Sequence, residues 1–262
     1  MNAMKAKPTG ETQQATTAAV RESLRRLSNR KKAEFFPRFF KSDPENPSEG
    51  DFFLGVTVPE QRLVAQAFRD LPLPELERLL AETTHEFRLT ALIILVNRFT
   101  KSRDVDEKRG LKDFYLAHLD AVNYWDLVDV SAHKILGEWL VALPVAERIS
   151  ILEPLADSTD WWRQRVAVVA CFPLIRRSEF AEILWLAETF LDHPHDLIQK
   201  AVGWMLREAG KRDLDFLRVF LQEHAADMPR VMLRYSIEKM TPEERGKWLG
   251  IGPGRSGVGQ KS

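Results

Sequence analysis

A carboxylate and two indoles occupy positions in this sequence where they could act together on a cationic group. Trp125 and Asp129 are four residues apart in the segment WDLVD, so in a helix both side chains lie on one face. A second tryptophan, Trp204, follows Lys200 at the same spacing. Indole faces attract cations by about 0.5 kcal/mol when exposed and by about 2 kcal/mol when desolvated. Two indoles beside a carboxylate therefore favour a cationic base or a developing sugar cation over neutral groups.

Basic side chains recur along the chain in register with this carboxylate. Helical stretches begin near residues 84, 123, 160, 195 and 229, and aligning them gives equivalent positions to Arg88, Asp129, Arg165, Lys200 and Arg234. We call this set the ladder. Stacked helical repeats that present the same position form one continuous inner wall. A basic wall suits a polyanion, and a lone carboxylate within it suits chemistry on a cation. The ladder therefore indicates DNA that carries a damaged, positively charged base.

Each of these residues also has a structural interpretation, which the sequence leaves open. Asp129 lies too deep in its helix to act as a cap, and its alternative role is a salt bridge to Arg165 of the next repeat. The alternative for Trp125 and Trp204 is core packing, and for any single basic residue it is solvated surface. Further candidate phosphate contacts on the later helices are Arg207, Lys211 and Arg230.

The elements that must position these residues are predicted to be helices almost throughout. Apolar residues recur at spacings of three and four, and Asp160 suits the N-cap of the helix that follows it. Because the connections are short, we predict an all-α superhelical solenoid of antiparallel helical pairs. Residues 42–56 interrupt this pattern with two prolines and a Glu-Gly-Asp turn signal, and they are predicted to form a loop or a short hairpin.

Length and charge limit the organisation of the chain. We predict one domain over residues 13–249, with disordered tails at residues 1–12 and 250–262. The net charge is zero, with 38 basic and 38 acidic residues, which argues against an all-over basic nucleic-acid binder. Residues 21–41 nevertheless hold eight Lys and Arg against two Glu. This basic cluster is either a solvated helix face or a phosphate-docking surface.

Cysteine and histidine usage gives no sign of redox or metal chemistry. The single cysteine, Cys171, lies in an apolar run and is interpreted as core packing. The six histidines form no paired metal spacing, and His193-Pro-His195 is interpreted as a turn and cap. We expect no metal and no cofactor. The sequence also lacks a membrane span and the apolar core of a signal peptide, so a soluble cytoplasmic protein is expected.

Four segments together resemble the HEAT-like-repeat DNA glycosylases of the AlkD type: WDLVD (125–129), WWRQRVAVVA (161–170), LIQKAVGWMLREAGKRD (197–213) and MPRVMLRYSIEK (228–239). The resemblance runs from about residue 35 to residue 240. It implies a monofunctional enzyme that excises cationic N3- and N7-alkylated purines from double-stranded DNA. In the motif the catalytic carboxylate is Asp129, accompanied by Trp125, Arg165 and Trp204. The family's aromatic residue of the N-terminal helix pair falls at Phe39, where a tyrosine is typical, and the resemblance implies that it contacts DNA.

One departure from the AlkD pattern keeps a second function open. Residues 42–53 look like an insertion, and the relatives called AlkF and AlkG carry a comparable hairpin and resemble binders of branched DNA. The first hypothesis is thus a glycosylase that releases 3-methyladenine or 7-methylguanine, with Asp129 stabilising the sugar cation and orienting water. The alternative is a non-catalytic binder of branched or damaged DNA that uses the same concave basic groove. A protein-binding scaffold is the third. We expect a monomer, because the groove must accept a duplex.

Overall fold

Helices form nearly all of the regular secondary structure in the computed structural model, which describes residues 15–39 and 51–251. Within these residues the β-type pairing is a single isolated parallel bridge between Phe52 and Thr84. The predicted all-α fold of helical repeats is confirmed. No helix in the described part of the chain is long and apolar enough to cross a membrane. The predicted tail at residues 1–12, residues 252–262 of the other predicted tail, and residues 42–50 of the predicted loop lie outside the described residues.

The chain divides into two compact units, residues 1–98 and residues 99–262. The helices that begin in the first unit are α1 (Thr17–Arg26), α2 (Arg30–Phe35), a 3₁₀ helix (Phe36–Phe39), α3 (Val58–Ala67), α4 (Leu73–Leu80) and α5 (His85–Lys101). The start of α1 is tied to α4, because the backbone N–H of Thr17 donates to the Glu75 carboxylate at 2.7 Å.

A buried carboxylate holds the described end of the predicted loop. Residues 51–57 precede α3 without forming a helix. The backbone N–H groups of Leu54, Gly55 and Val56 donate to the Glu86 carboxylate at 3.0, 2.8 and 3.3 Å. Glu86 is 1% exposed, and hydrogen bonds from three donors compensate the charge that burial would otherwise destabilise. A tertiary contact, rather than local sequence, therefore shapes this segment.

The second unit contains most of the predicted site. Its elements are α6 (Val105–Ala117), a 3₁₀ helix (Leu119–Ala121), α7 (Trp125–Ala132), a π-helix (His133–Gly137), α8 (Glu138–Leu140), α9 (Val145–Ala156), α10 (Trp161–Ala170), α11 (Phe172–Arg176), α12 (Ala181–Thr189), α13 (Asp196–Arg212), α14 (Leu214–His224), α15 (Arg230–Ser236) and α16 (Pro242–Gly250). The Asp160 side chain caps α10 by accepting from the backbone N–H of Trp162 at 2.8 Å, as predicted.

The helices that carry the later part of the ladder pack side by side in this unit. α10 contacts both α7 and α13, and α13 contacts α15. Asp129, Arg165, Lys200 and Arg234 are each the fifth residue of their helix, whereas Arg88 is the fourth residue of α5. Equivalent positions on adjacent helices form a row, so the register read from the sequence is present across the second unit.

An apolar core runs beneath this row of helices. Cys171 is 1% exposed at the end of α10, and burial raises the pKa of its thiol, in agreement with the predicted packing role. The buried faces of α7, α10 and α13 meet through aliphatic residues, including Leu127, Val128, Val166, Val169, Ile198, Val202 and Met205. This packing orients the opposite, polar faces of the same helices.

Gly203 permits the close packing of α13 on α15. A Cβ atom at this position would lie 2.5 Å from the carbonyl oxygen of Met232 and 2.6 Å from the Cβ atom of Tyr235. Gly203→Ala is therefore expected to lower the free energy of unfolding by about 1–3 kcal/mol, because the two helices must separate. Urea unfolding measures the change.

Gly110 supplies the control for this substitution. It lies inside α6, and a Cβ atom there would meet no heavy atom within 4 Å. Gly110→Ala is expected to stabilise the protein by up to about 1 kcal/mol through the higher helix propensity of alanine. A similar gain from Gly203→Ala would show that α13 and α15 do not depend on a glycine at their contact.

Candidate active site

The carboxylate of Asp129 and the guanidinium of Arg165 form a bidentate ion pair between α7 and α10. Nη2 of Arg165 lies 2.9 Å from Oδ1 and 3.0 Å from Oδ2 of Asp129, and Nε lies 3.2 Å from Oδ1. Planar guanidinium groups match carboxylates in this geometry, which fixes the orientation of both groups. The salt bridge weighed as a structural role for Asp129 is therefore present. It leaves the Asp129 side chain 24% exposed, so the carboxylate is not sealed in the interior.

Arg165 is itself held from a third helix. Its side chain is 6% exposed, and Nη1 donates to the backbone carbonyl of Leu197, in the first turn of α13, at 2.6 Å. The guanidinium therefore links α7, α10 and α13 at the level of the carboxylate. Because Arg165 is buried and its donors are engaged within the protein, it orients Asp129 rather than offering an exposed phosphate contact.

Burial and the neighbouring guanidinium of Arg165 shift the pKa of Asp129 in opposite directions. Burial raises the pKa of the carboxyl above its usual value, while the charge and hydrogen bonds of Arg165 lower it and the nearby Asp126 raises it further. Burial is the largest of these effects, so the net shift is upward. When ionised, a partly desolvated carboxylate beside one guanidinium is suited to stabilise a positive charge on a bound ligand.

The two indoles of the predicted site lie on two helices of this unit, α7 and α13. Trp125 is the first residue of α7, one turn before Asp129, and Trp204 is on α13, one turn after Lys200. Both tryptophans are half-buried. They are neither fully packed into the core nor fully exposed, so each can present part of its ring to a ligand.

The glutamines directly before Arg165 and Lys200 make the same hydrogen bond to the turn that precedes their helix. This contact was not among the sequence predictions. Nε2 of Gln164 donates to the carbonyl of Ser158 at 2.9 Å, and Nε2 of Gln199 donates to the carbonyl of His193 at 2.9 Å. In both cases the carbonyl lies six residues earlier, in the turn before the helix. The repetition of Gln164-Arg165 as Gln199-Lys200 is the sequence pattern from which this shared contact could have been predicted.

The predicted turn and cap at His193-Pro-His195 is confirmed. Nδ1 of His195 accepts from the backbone N–H of Leu197 at 3.2 Å and caps α13. Nδ1 of His193 accepts from the backbone N–H of His195 at 3.0 Å, and its Nε2 lies 2.8 Å from Oε1 of Gln164. This turn connects α10 to the residue whose carbonyl anchors Arg165.

The basic residues of α13 differ in how far they are neutralised. Lys200 is 32% exposed and pairs with Asp196 one turn earlier. Arg207 and Lys211 both pair with Glu208, and Arg207 also pairs with Glu238. The partly exposed pair of Lys200 is weak, so phosphate can compete for this cation, whereas the side chains of Arg207 and Glu208 are only 18% and 15% exposed. The carboxylates reduce the local positive potential.

The two basic residues of α15 have separate surroundings. Arg230 donates to the carbonyl oxygens of Leu249 and Ile251 at 2.7 and 3.2 Å, which ties α15 to the end of α16. Arg234 is exposed. Of the two, Arg234 is therefore the more accessible candidate for a phosphate contact.

Two predicted DNA contacts fall in the first unit. Arg88 is 4% exposed and its guanidinium pairs with the Asp51 carboxylate, so it is a buried structural residue and not part of an exposed basic row. The reason is the acidic segment before α3, which supplies Asp51. Phe39 ends the 3₁₀ helix, and its side chain lies outside the described residues.

Comparison with known proteins gives a family and a fold. A family model described as DNA alkylation repair enzyme matches residues 20–240. No curated protein matches. Among solved structures, the chain is similar to a predicted DNA alkylation repair enzyme from Enterococcus faecalis, with a TM-score of 0.66 and 19% sequence identity. The match covers 82% of this chain and 98% of that chain, and at this identity it shows a shared fold.

Proposed function

The chain belongs to the DNA alkylation repair enzyme family, and from this membership we propose that it is a DNA glycosylase that hydrolyses the N-glycosidic bond of cationic N3- and N7-alkylated purines. The observation that carries the proposal is the Asp129 carboxylate, held by Arg165 on both oxygens in a side chain that is still 24% exposed. An anionic side chain that a ligand can reach is the group that this reaction requires.

The proposed reaction needs few protein groups, because the substrate is already activated. Alkylation at N3 or N7 gives the purine a positive charge, so the C1′–N bond can break with its electron pair leaving on a neutral base. The sugar then carries the positive charge, which Asp129 stabilises. Water adds to C1′ and loses one proton, and the carboxylate orients this water and can accept the proton. The products are the free base and an abasic sugar.

The two indoles supply the second part of the proposed site. A positively charged purine or sugar is attracted to the face of an indole, and the attraction grows when water is excluded. Trp125 is on the same helix face as Asp129, and Trp204 is half-buried on α13. We propose that these rings favour the charged lesion over the neutral, unmodified base.

Lys200 and Arg234 are the proposed phosphate contacts of the ladder, and Lys200 allows a quantitative test. Each phosphate neutralised contributes about 0.9 to the slope of log affinity against log salt. Lys200→Ala is therefore expected to reduce the slope measured by fluorescence anisotropy with duplex DNA by about 0.9. Lys247→Ala is a matched control, because Lys247 also pairs with an acidic residue four positions away but lies outside the ladder. Equal slopes in the two variants would remove Lys200 from the contact surface.

Base release from alkylated DNA tests the proposed function directly. Duplex DNA that contains 7-methylguanine and 3-methyladenine is incubated with the protein, and free base is measured by chromatography and mass spectrometry. Release above the spontaneous rate without protein is expected. Absence of release, together with tighter binding to branched than to linear DNA, would support the alternative function of a non-catalytic DNA-structure binder.

A further inference from the structure

The helix that carries Asp129 changes its hydrogen-bonding pattern immediately after the proposed site. α7 ends at Ala132, and a π-helix continues over His133–Gly137. Short π-helical segments within α-helices occur frequently at functional sites, and their wider turn displaces side chains from the regular register. His133 is the first residue of this π-helix and follows Asp129 by four residues, about one helical turn. The imidazole therefore lies on the same side of the helix as the proposed catalytic carboxylate.

A glycine brings this π-helix against the corner between α10 and α11. A Cβ atom on Gly137 would lie 2.5 Å from the carbonyl oxygen of Ala170 and 2.8 Å from Cδ of Pro173. The close approach places Phe172, which lies in the corner, edge-to-face against His133. The ring centroids are 5.5 Å apart with an interplanar angle of 77°. This is a favourable geometry for an aromatic pair.

The same phenyl ring also contacts the indole of the proposed site. The centroids of Phe172 and Trp204 are 6.1 Å apart, with an interplanar angle of 38°. The rings of His133, Phe172 and Trp204 belong to three separate elements and thus form a continuous row. The row begins one turn after Asp129 and ends on α13. None of these contacts follows from the spacing of residues in the sequence, because the three rings belong to separate helices.

We propose that His133 and Phe172 are positioning residues, an aromatic bridge that holds the Trp204 indole in a set position relative to the Asp129 carboxylate. The catalytic consequence rests on the proposed glycosylase function, whereas the mechanical link between the rings does not. Burial, with the charges of Lys134 and Arg176, lowers the pKa of His133 to about 4. The ring is therefore neutral near pH 7 and introduces no positive charge where a cationic base would bind.

A spectroscopic experiment tests the bridge independently of activity. The full chain is labelled with 5-fluorotryptophan, and Trp204→Phe assigns one of the seven ¹⁹F resonances. His133→Gln is expected to shift the Trp204 resonance in the otherwise unchanged protein, but not in a Phe172→Leu background, because the phenyl ring transmits the effect. An unmoved resonance in the first case, or an equal shift in both backgrounds, would overturn the bridge.

Single-turnover kinetics test the catalytic consequence. Phe172→Leu is expected to lower the rate constant of base release by about 10- to 100-fold, as small displacements of reacting groups do, with unchanged affinity for undamaged DNA. Phe172→Tyr keeps a ring at this position and is expected to restore the rate. Phe180→Leu is the matched control, because it removes a half-buried phenyl from another stacked pair, 4.5 Å from Phe216. Equal losses in Phe172→Leu and Phe180→Leu would assign both rings to general stability and overturn the positioning role.

The two experiments separate failure of the bridge from failure of the proposed function. If the unmodified protein releases no base, the glycosylase proposal is refuted, and the ¹⁹F comparison still decides whether His133 and Phe172 control Trp204. If base is released and the resonance does not respond to His133→Gln, the bridge alone is refuted.

Discussion

Asp129→Asn is expected to lower the rate constant of base release by about 10²- to 10³-fold, the loss found when one electrostatic contact to a transition state is removed. Asparagine keeps the shape of the side chain and can still accept a hydrogen bond from Arg165, but it carries no charge. The developing sugar cation then has no carboxylate beside it. Single-turnover release of 7-methylguanine from duplex DNA measures the effect.

The affinity for undamaged DNA and the variant Asp126→Asn provide the controls for Asp129→Asn. Affinity for undamaged DNA is expected to remain the same or to rise, because a negative charge near the phosphates has been removed. Asp126→Asn removes a carboxylate three residues earlier on α7, where it accepts from the backbone N–H of Leu127 at 3.0 Å. That variant is expected to retain base release within a few-fold. If Asp129→Asn were as active as the unmodified protein, Asp129 would have only a structural role.

Arg165→Gln is expected to have the largest effect on stability among the site variants. It leaves the Asp129 carboxylate without its bidentate partner and removes the hydrogen bond to the Leu197 carbonyl. Removal of one partner of a buried ion pair lowers the free energy of unfolding by about 3–5 kcal/mol. The partial exposure of Asp129 reduces this loss to about 2–4 kcal/mol. Urea unfolding at pH 7 measures the change in free energy.

Arg165→Gln is also expected to change the pH dependence of base release. The carboxylate must be ionised to act, so the rate falls as the pH drops through the pKa of Asp129, which burial places above its usual value. Because Arg165 lowers this pKa against the effect of burial, its removal is expected to move the acid limb of the profile to higher pH. An unchanged acid limb would show that another group titrates there.

The stability loss in Arg165→Gln should also depend on pH, because it follows the ionisation of Asp129. The pKa of Asp129 is higher in the folded chain than in the unfolded chain, so ionisation of this carboxyl costs folding free energy as the pH rises. The stability deficit of Arg165→Gln is therefore expected to shrink as the pH falls and Asp129 becomes protonated. Arg163→Gln is the control on the same helix, since its partners Asp120 and Asp160 are 86% and 37% exposed, and a loss below about 1 kcal/mol is expected at all pH values.

Local sequence determined the helices and their register. Asp160 and the His193-Pro-His195 segment mark starts of α10 and α13 because their side chains satisfy free N–H groups within two residues. A helix start fixes which residues share a face one turn later. The equivalence of Asp129 with Arg165 followed from this periodicity alone, and so did the possibility of their salt bridge.

Tertiary structure decided which charges are available at the surface. Arg88 belongs to the same sequence pattern as Arg165 and Lys200, yet it is buried against Asp51, a residue 37 positions away. Arg207 pairs with Glu238, 31 positions away, and Arg230 donates to the carbonyl of Leu249 at the end of α16. Partners brought in by chain folding govern these outcomes, and no local spacing encodes them.

The sequence by itself thus determined the all-α class, the repeat and the shared helix face of Trp125 and Asp129, because helical periodicity acts over four residues. Only the tertiary structure decided the surroundings of that carboxylate: its bidentate contact with Arg165, its partial exposure and the ring row through Phe172. The physical reason is that burial and desolvation depend on which helices pack together. These two quantities set the pKa and the orientation of Asp129, and with them the chemistry that it can perform.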